Sequence, residues 1–98
     1  MNMQQIMAQA QKMQKDIMSK KEKIDSMDFE GKSDWITIMF KGNREVKSVT
    51  ITNDDAFNVD NKEILSDMIL LAIKDGMQKI EKETESQMGA YGQMGGLF

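Results

Sequence analysis

The sequence has no cysteine, no histidine and no proline, and only one tryptophan, one tyrosine and four phenylalanines among 98 residues. Without thiols or imidazoles there is no disulfide framework, no thiolate nucleophile, no imidazole base and no zinc site of the usual nitrogen–sulfur kind. No phosphate-binding or dinucleotide glycine pattern occurs either. No apolar run approaches the roughly 18–20 residues that cross a bilayer, so no membrane partner is expected. The opening residues lack the apolar core and cleavage site of a secretory signal, and a cytoplasmic location is expected. Carboxylates are plentiful, but none is spaced as a catalytic pair. The run TNDDAFNVDN (52–61) is rich in oxygen ligands, yet it lacks the glycine and the alternating spacing of a calcium loop. The expectation is a protein that is not an enzyme, with no cofactor, no metal and no small-molecule substrate.

What is present is distributed unevenly. Hydrophobic residues make up 40% and charged residues 30%, a globular composition. One domain is expected over residues 1–88, followed by a flexible Gly/Met-rich tail over 89–98. Five methionines and five lysines crowd residues 3–27, MQQIMAQAQKMQKDIMSKKEKIDSM, with no glycine among them. In a heptad with position a at Met3, a reads Met3, Ala10, Ile17 and Ile24, and d reads Ile6, Met13, Lys20 and Met27. Only Lys20 breaks the apolar seam, so the segment is expected to be a helix with a coiled-coil-like face, widened by Met7 and Met18.

The period then changes. In DWITIMFKGNREVKSVTIT (34–52), β-branched and aromatic residues alternate around KGNRE, whose Gly-Asn pair predicts a hairpin turn. MDFEGKS (27–33) supplies a short preceding strand, giving a three-stranded meander that is barely enough sheet to be stable alone. DNKEILSDMILLAIKDGMQKIEKETESQM (60–88) reads as a second helix, with Asp60 as N-cap and Glu63 completing a capping box. Gly76 inside that helix costs about 1 kcal/mol against alanine, which points to a close backbone approach.

Lengths expose a mismatch. A 25-residue helix is about 37 Å long, whereas a compact chain of this size has a radius of gyration of about 13 Å. A small sheet cannot cover two such helices, and exposed apolar stripes mark an interface. A two-fold homodimer is expected, with Met3, Ile6, Ala10, Met13, Ile17 and Ile24 at its interface.

Charge sharpens the picture. The formal net charge is −3, against a polyanion partner. Yet residues 1–24 set five lysines against Asp16 and Glu22 and come to +3, while 25–59 and 60–98 each come to −3. The basic charge is therefore concentrated on the first helix. It serves either as a solvated face, as a phosphate-binding surface, or as a membrane-surface helix; the last lacks the usual aromatic anchors.

The order helix, three strands, helix resembles that of the YbaB/EbfC nucleoid-associated proteins. The resemblance covers nearly the whole chain, from the opening MQQIMAQAQKMQKDI through ITIMFKGNREVKSVTI to the tail ending in Leu97-Phe98. Its best match is DNKEILSDMILLAIKDGMQKIEKE, where Asp60, Lys62, Glu63, Leu65, Asp67, Ala72 and Asp75 fall into the family pattern. GKSDW stands where that family usually has a glycine cluster. The resemblance implies an α+β fold: a long N-terminal helix, a three-stranded antiparallel sheet and a long C-terminal helix, in a tweezer-like homodimer. It also implies a nucleoid location and binding of double-stranded DNA with little sequence preference. On this chain, Lys12, Lys15, Lys20, Lys21 and Lys23 are expected to contact phosphates, and Gln9, Gln11 and Gln14 to approach bases or sugars. The alternative is a homodimeric protein-interaction adaptor that does not bind DNA.

Overall fold

The computed structural model describes residues 2–89; the tail's large apolar residues, Tyr91, Leu97 and Phe98, lie outside the described residues. The chain runs α1 (Met3–Ser26), β1 (Asp28–Lys32), β2 (Ile36–Lys41), β3 (Val46–Ile51), two 3₁₀ turns (Asp54–Phe57 and Val59–Asn61) and α2 (Lys62–Met88). The strands form one antiparallel sheet in the order β1-β2-β3. The expected α+β order of long helix, three-stranded antiparallel sheet and long helix holds.

α1 starts where the Asn2 side chain accepts a 2.9 Å hydrogen bond from the Gln5 N–H, an N-cap of the ordinary kind. It stops at Met27, whose extended backbone (φ −74°, ψ 149°) turns the chain into β1. Met27 therefore leaves the helical seam that the heptad assigned it and packs against the sheet core instead.

Along β2, Ile36, Ile38 and Phe40 are buried and alternate with half-buried Thr37, Met39 and Lys41. Phe29 and Gly31 lie opposite Phe40 and Ile38, so they share the buried face. The other face carries Glu30, Lys32, Thr37, Ser48 and Thr50 and meets solvent.

The hairpin turn departs from expectation. Its one non-glycine with positive φ is Arg44 (71°), while neither Gly42 nor Asn43 takes that conformation. Arg44 N–H donates to the Lys41 carbonyl at 2.8 Å, and the Asn43 side chain accepts from the Glu45 N–H at 2.9 Å. Gly42 serves a different need: a Cβ there would run into the Ile24 carbonyl, and its N–H donates to Met27 O at 2.9 Å. Its glycine lets the end of α1 sit against the hairpin.

The start of α2 also differs. Asp60 is not the N-cap; it lies within the second 3₁₀ turn, and Asn61 takes the cap position without a side-chain cap bond. Asn53 and Asn58 accept from the N–H groups of Asp55 and Asp60, each at 2.9 Å, and wind the acidic run into two tight turns. Local asparagine turns win over the capping box.

α2 lies across β1 and β2. Buried Phe29, Ile36, Ile38, Phe40, Ala72 and Ile80 form the core, with Trp35, Leu65, Met68 and Met77 packed around it. Two glycines set the separation of helix and sheet: a Cβ at Gly76 would strike the Phe40 ring and stand 3.3 Å from Gly31 Cα, and a Cβ at Gly31 would meet the Ala72 carbonyl. Trp35, in the loop that departs from the family pattern, is held by the Thr52 N–H donating to its carbonyl at 2.8 Å.

Two side chains of α2 satisfy the free edge of β1. The Asp75 carboxylate accepts from the Lys32 N–H at 2.9 Å, and Lys79 Nζ donates to the Glu30 carbonyl at 2.7 Å. These two side chains pair with each other at 3.1 Å. The Lys32 backbone N–H and then the Lys79 ammonium hold the Asp75 carboxyl below its ordinary value.

The sheet face under α2 is only partly covered. Val46, Val49 and Ile51 stand opposite Phe40, Ile38 and Ile36, on the helix side, yet they are 53%, 58% and 42% exposed. Helical spacing puts Asp75 on the β1 flank of α2, so Ile69 and Ile73 fall toward β3, and they are 38% and 37% exposed. A helix wall and a strand floor, both apolar, are left open.

Two outcomes follow from the α2–β1 contact. Helix propensity alone makes Gly76→Ala stabilising by about 1 kcal/mol; the Phe40 ring makes it destabilising, by about 1–3 kcal/mol in urea denaturation. A gain in stability would refute the close approach. Asp75→Ala should cost about 1–2 kcal/mol at neutral pH, at the low end for a charged acceptor because the carboxylate is partly exposed. Because its folded pKa is lowered, that contribution is complete above the ordinary aspartate value, about 4. It is lost as pH falls through the folded value. The gap between wild type and variant should therefore narrow only below about pH 4.

Candidate nucleic-acid interface

The candidate surface is α1, and its geometry follows from how it is braced. Within α1 only Ile24 is buried, and Ile17, Lys20 and Asp25 are half-buried; residues 2–16 are all exposed. The matching stripe on α2 is Ile80, Glu83, Thr84, Gln87 and Met88, at helical spacing and buried or half-buried. α2 runs antiparallel to β1, as the Lys32–Asp75 and Glu30–Lys79 contacts require. It therefore continues back past the start of β1 toward the end of α1, which it touches. Beyond Ile17, α1 overhangs for about 21 Å at 1.5 Å per residue. The Cα radius of gyration is 19.1 Å and the principal extents are 70 × 20 × 15 Å, far from a sphere.

The expected phosphate contacts divide on this rod. At 100° per residue, Lys12, Lys15 and Lys23 fall within an arc of about 80°, all exposed, over about 16 Å of helix. Asp16 and Glu22 border that arc. Asp16 is turned toward Lys20, whose ammonium lies 3.4 Å away. Lys21 and Gln14 lie on the opposite side, beside Met7, Ala10 and Ile17; Gln9 and Gln11 flank the arc from either edge. The eight residues thus share a helix but not one face.

The expected interface residues divide as well. Met3 and Ile6 are 76% and 51% exposed, and Ala10 and Met13 are exposed too. Ile17 is half-buried, and Ile24 is 3% exposed beside Gly42 of its own chain. Sequence reasoning missed the open apolar surface of Val46, Val49, Ile51, Ile69 and Ile73. Its signal was present in VKSVTI, but the register shift at Met39/Phe40 disguises the alternation.

Among the described residues, no group of three or more acidic side chains is placed to hold a metal ion, and no helix is long and apolar enough to cross a membrane.

Comparison with known proteins places this geometry. A structure of an uncharacterised protein from Helicobacter pylori superposes with a TM-score of 0.76 over 97% of this chain and 99% of that one, at 22% identity; it shares the fold. A nucleoid-associated protein of Lactococcus lactis subsp. cremoris is 42% identical over 93 residues, covering 93% of both chains. One from Enterococcus faecalis is 36% identical over 92 residues, covering 92% of this chain and 88% of the other. The family model of the YbaB/EbfC DNA-binding family matches residues 1–96. The family model over nearly the whole chain and the near-full-length relatives agree: the chain belongs to the YbaB/EbfC DNA-binding family.

Proposed function

We propose that the protein is a nucleoid-associated homodimer that grips duplex DNA by charge, through its overhanging α1 arms, with little sequence preference. The observation that carries this is the exposed Lys12–Lys15–Lys23 arc on a helix that projects from the body. These lysines are placed to neutralise phosphates, and no aspartate or glutamate lies inside the arc itself. Lys20 and Lys21 extend the positive field toward the body. Gln9 and Gln11, beside the arc, meet sugars or base edges without specifying a sequence. Catalysis has no part in this reading.

The second copy docks on the open surface of β3 and α2 rather than along the α1 seam. Val46, Val49 and Ile51 form the floor and Ile69 and Ile73 the wall, a shape that accepts the partner's helix under two-fold symmetry. A stable interface needs about 800 Å² per partner; five apolar side chains beside an unpaired strand edge are a suitable nucleus for it. The α1 seam is the weaker choice, since Ile24 is buried in its own protomer and Lys20 is engaged by Asp16.

Two measurements test this reading. If about four to six phosphates are neutralised per dimer, log K for a labelled duplex falls with log salt at a slope of about −4 to −5. Replacing Lys12, Lys15 and Lys23 by Gln flattens that slope, while Lys32→Gln with Lys41→Gln changes it little, and scrambling the DNA sequence changes affinity little. No duplex binding at low salt would overturn the DNA reading in favour of a protein-interaction adaptor. Separately, Val49→Asp should convert a sedimenting dimer to monomer, because it alters only an exposed strand position. A wild-type chain that sediments as monomer at micromolar concentration rules the dimer out.

A further inference from the structure

Methionine is the only source of sulfur in this chain, and its eleven copies are placed unevenly. Among the described residues, Met3, Met7, Met13 and Met18 are 76%, 58%, 36% and 60% exposed. Met27, Met39, Met68 and Met77 are half-buried, and Met88 is 1% exposed. All four exposed thioethers stand on α1, within an arc of about 140° at 100° per residue, over about 22 Å of helix. That arc does not overlap the one holding Lys12, Lys15 and Lys23. We propose that this side of α1 is a modification site, an oxygen-accepting surface for small hydroperoxides, with Met3, Met7, Met13 and Met18 as the acceptors.

The step needs no catalytic group. A sulfur lone pair attacks the outer oxygen of the hydroperoxide, the O–O bond breaks, and the proton on that oxygen passes to the departing alkoxide. Sulfur is oxidised by two electrons to the sulfoxide, and the peroxide is reduced to an alcohol, or to water when the oxidant is hydrogen peroxide. Unlike a thiol, a thioether has no proton to lose, so no base and no lowered pKa is required. Access to the sulfur decides the rate. The chain also has no cysteine to compete for the oxidant.

Placement decides the effect. Oxidation turns an apolar side chain into a polar one. Around the core, where Met27, Met68 and Met77 pack against the buried cluster, that change would disturb the fold. On α1 it falls on side chains that the core does not use. Four added oxygens therefore make the apolar side of the helix polar and leave both the fold and the lysine arc intact. The proposal rests on exposure and stands whether or not those lysines meet DNA.

The test treats the full chain with limiting hydrogen peroxide and follows each methionine by tandem mass spectrometry of its peptides. Met3, Met7, Met13 and Met18 should gain oxygen at least about tenfold faster than Met68, Met77 and Met88, and in urea the rates should converge. The thermal midpoint should move by less than about 2 °C, and methionine sulfoxide reductase should remove the added oxygens. On a hydrophobic-interaction column the native wild type should elute earlier after peroxide. The combined variant Met3→Leu, Met7→Leu, Met13→Leu and Met18→Leu should not shift. Equal rates across the native chain would overturn the proposal, as would a rate difference that persists in urea. Loss of the fold as the α1 methionines oxidise, or an unchanged wild-type elution, would overturn it too.

Discussion

The close approach of α2 to β1 governs the rest of the molecule. Gly31 and Gly76 let the helix lie against the strand with the Phe40 ring beside the contact, and Asp75 with Lys79 ties the helix to the strand's free edge. A single helix fixed over the β1 side of a three-stranded sheet cannot also cover β3. Val46, Val49 and Ile51 are left open for that reason, although they face the same side as the core. The same placement carries α2 back to the end of α1, which it touches, while the first half of α1 stands exposed.

Function on this account comes from what the sheet does not cover. The body leaves an apolar surface open on β3 and α2, and the first half of α1 is exposed beyond the body. Charge is then a matter of distribution: a net −3 for the chain coexists with a positive arm, because acidic residues concentrate in the sheet, the turns and α2. Lys12, Lys15 and Lys23 lie on one side of α1 and Met3 and Met7 on the other, so the basic and apolar surfaces of the helix are separate.

Much of this was legible in the sequence, and the failures are instructive. The helix–meander–helix order followed from the change of period between residues 3–27 and 34–52, and Gly76 announced the close approach before any coordinates. Periodicity could not show that the seam ends early, because Met27 keeps the apolar spacing while its backbone turns extended. Gly-Asn looked like the turn, but tertiary contact with Ile24 claimed Gly42 and left the positive φ to Arg44. Asp60 had the spacing of a cap, yet Asn53 and Asn58 had already wound the preceding residues into tight turns. The β3 surface was hidden by a register shift, whereas the division of the lysines between two faces follows from helical spacing alone and was open to the sequence.

The most direct test of the account is amide hydrogen exchange of the full chain at two protein concentrations, with and without duplex DNA. The account predicts that residues 46–51 and 69–73 gain protection as protein concentration rises, DNA or no DNA. It predicts that residues 12–23 gain protection only when duplex is added at low salt, and lose it at high salt. Protection by DNA centred on the sheet, with α1 unaffected, would contradict it.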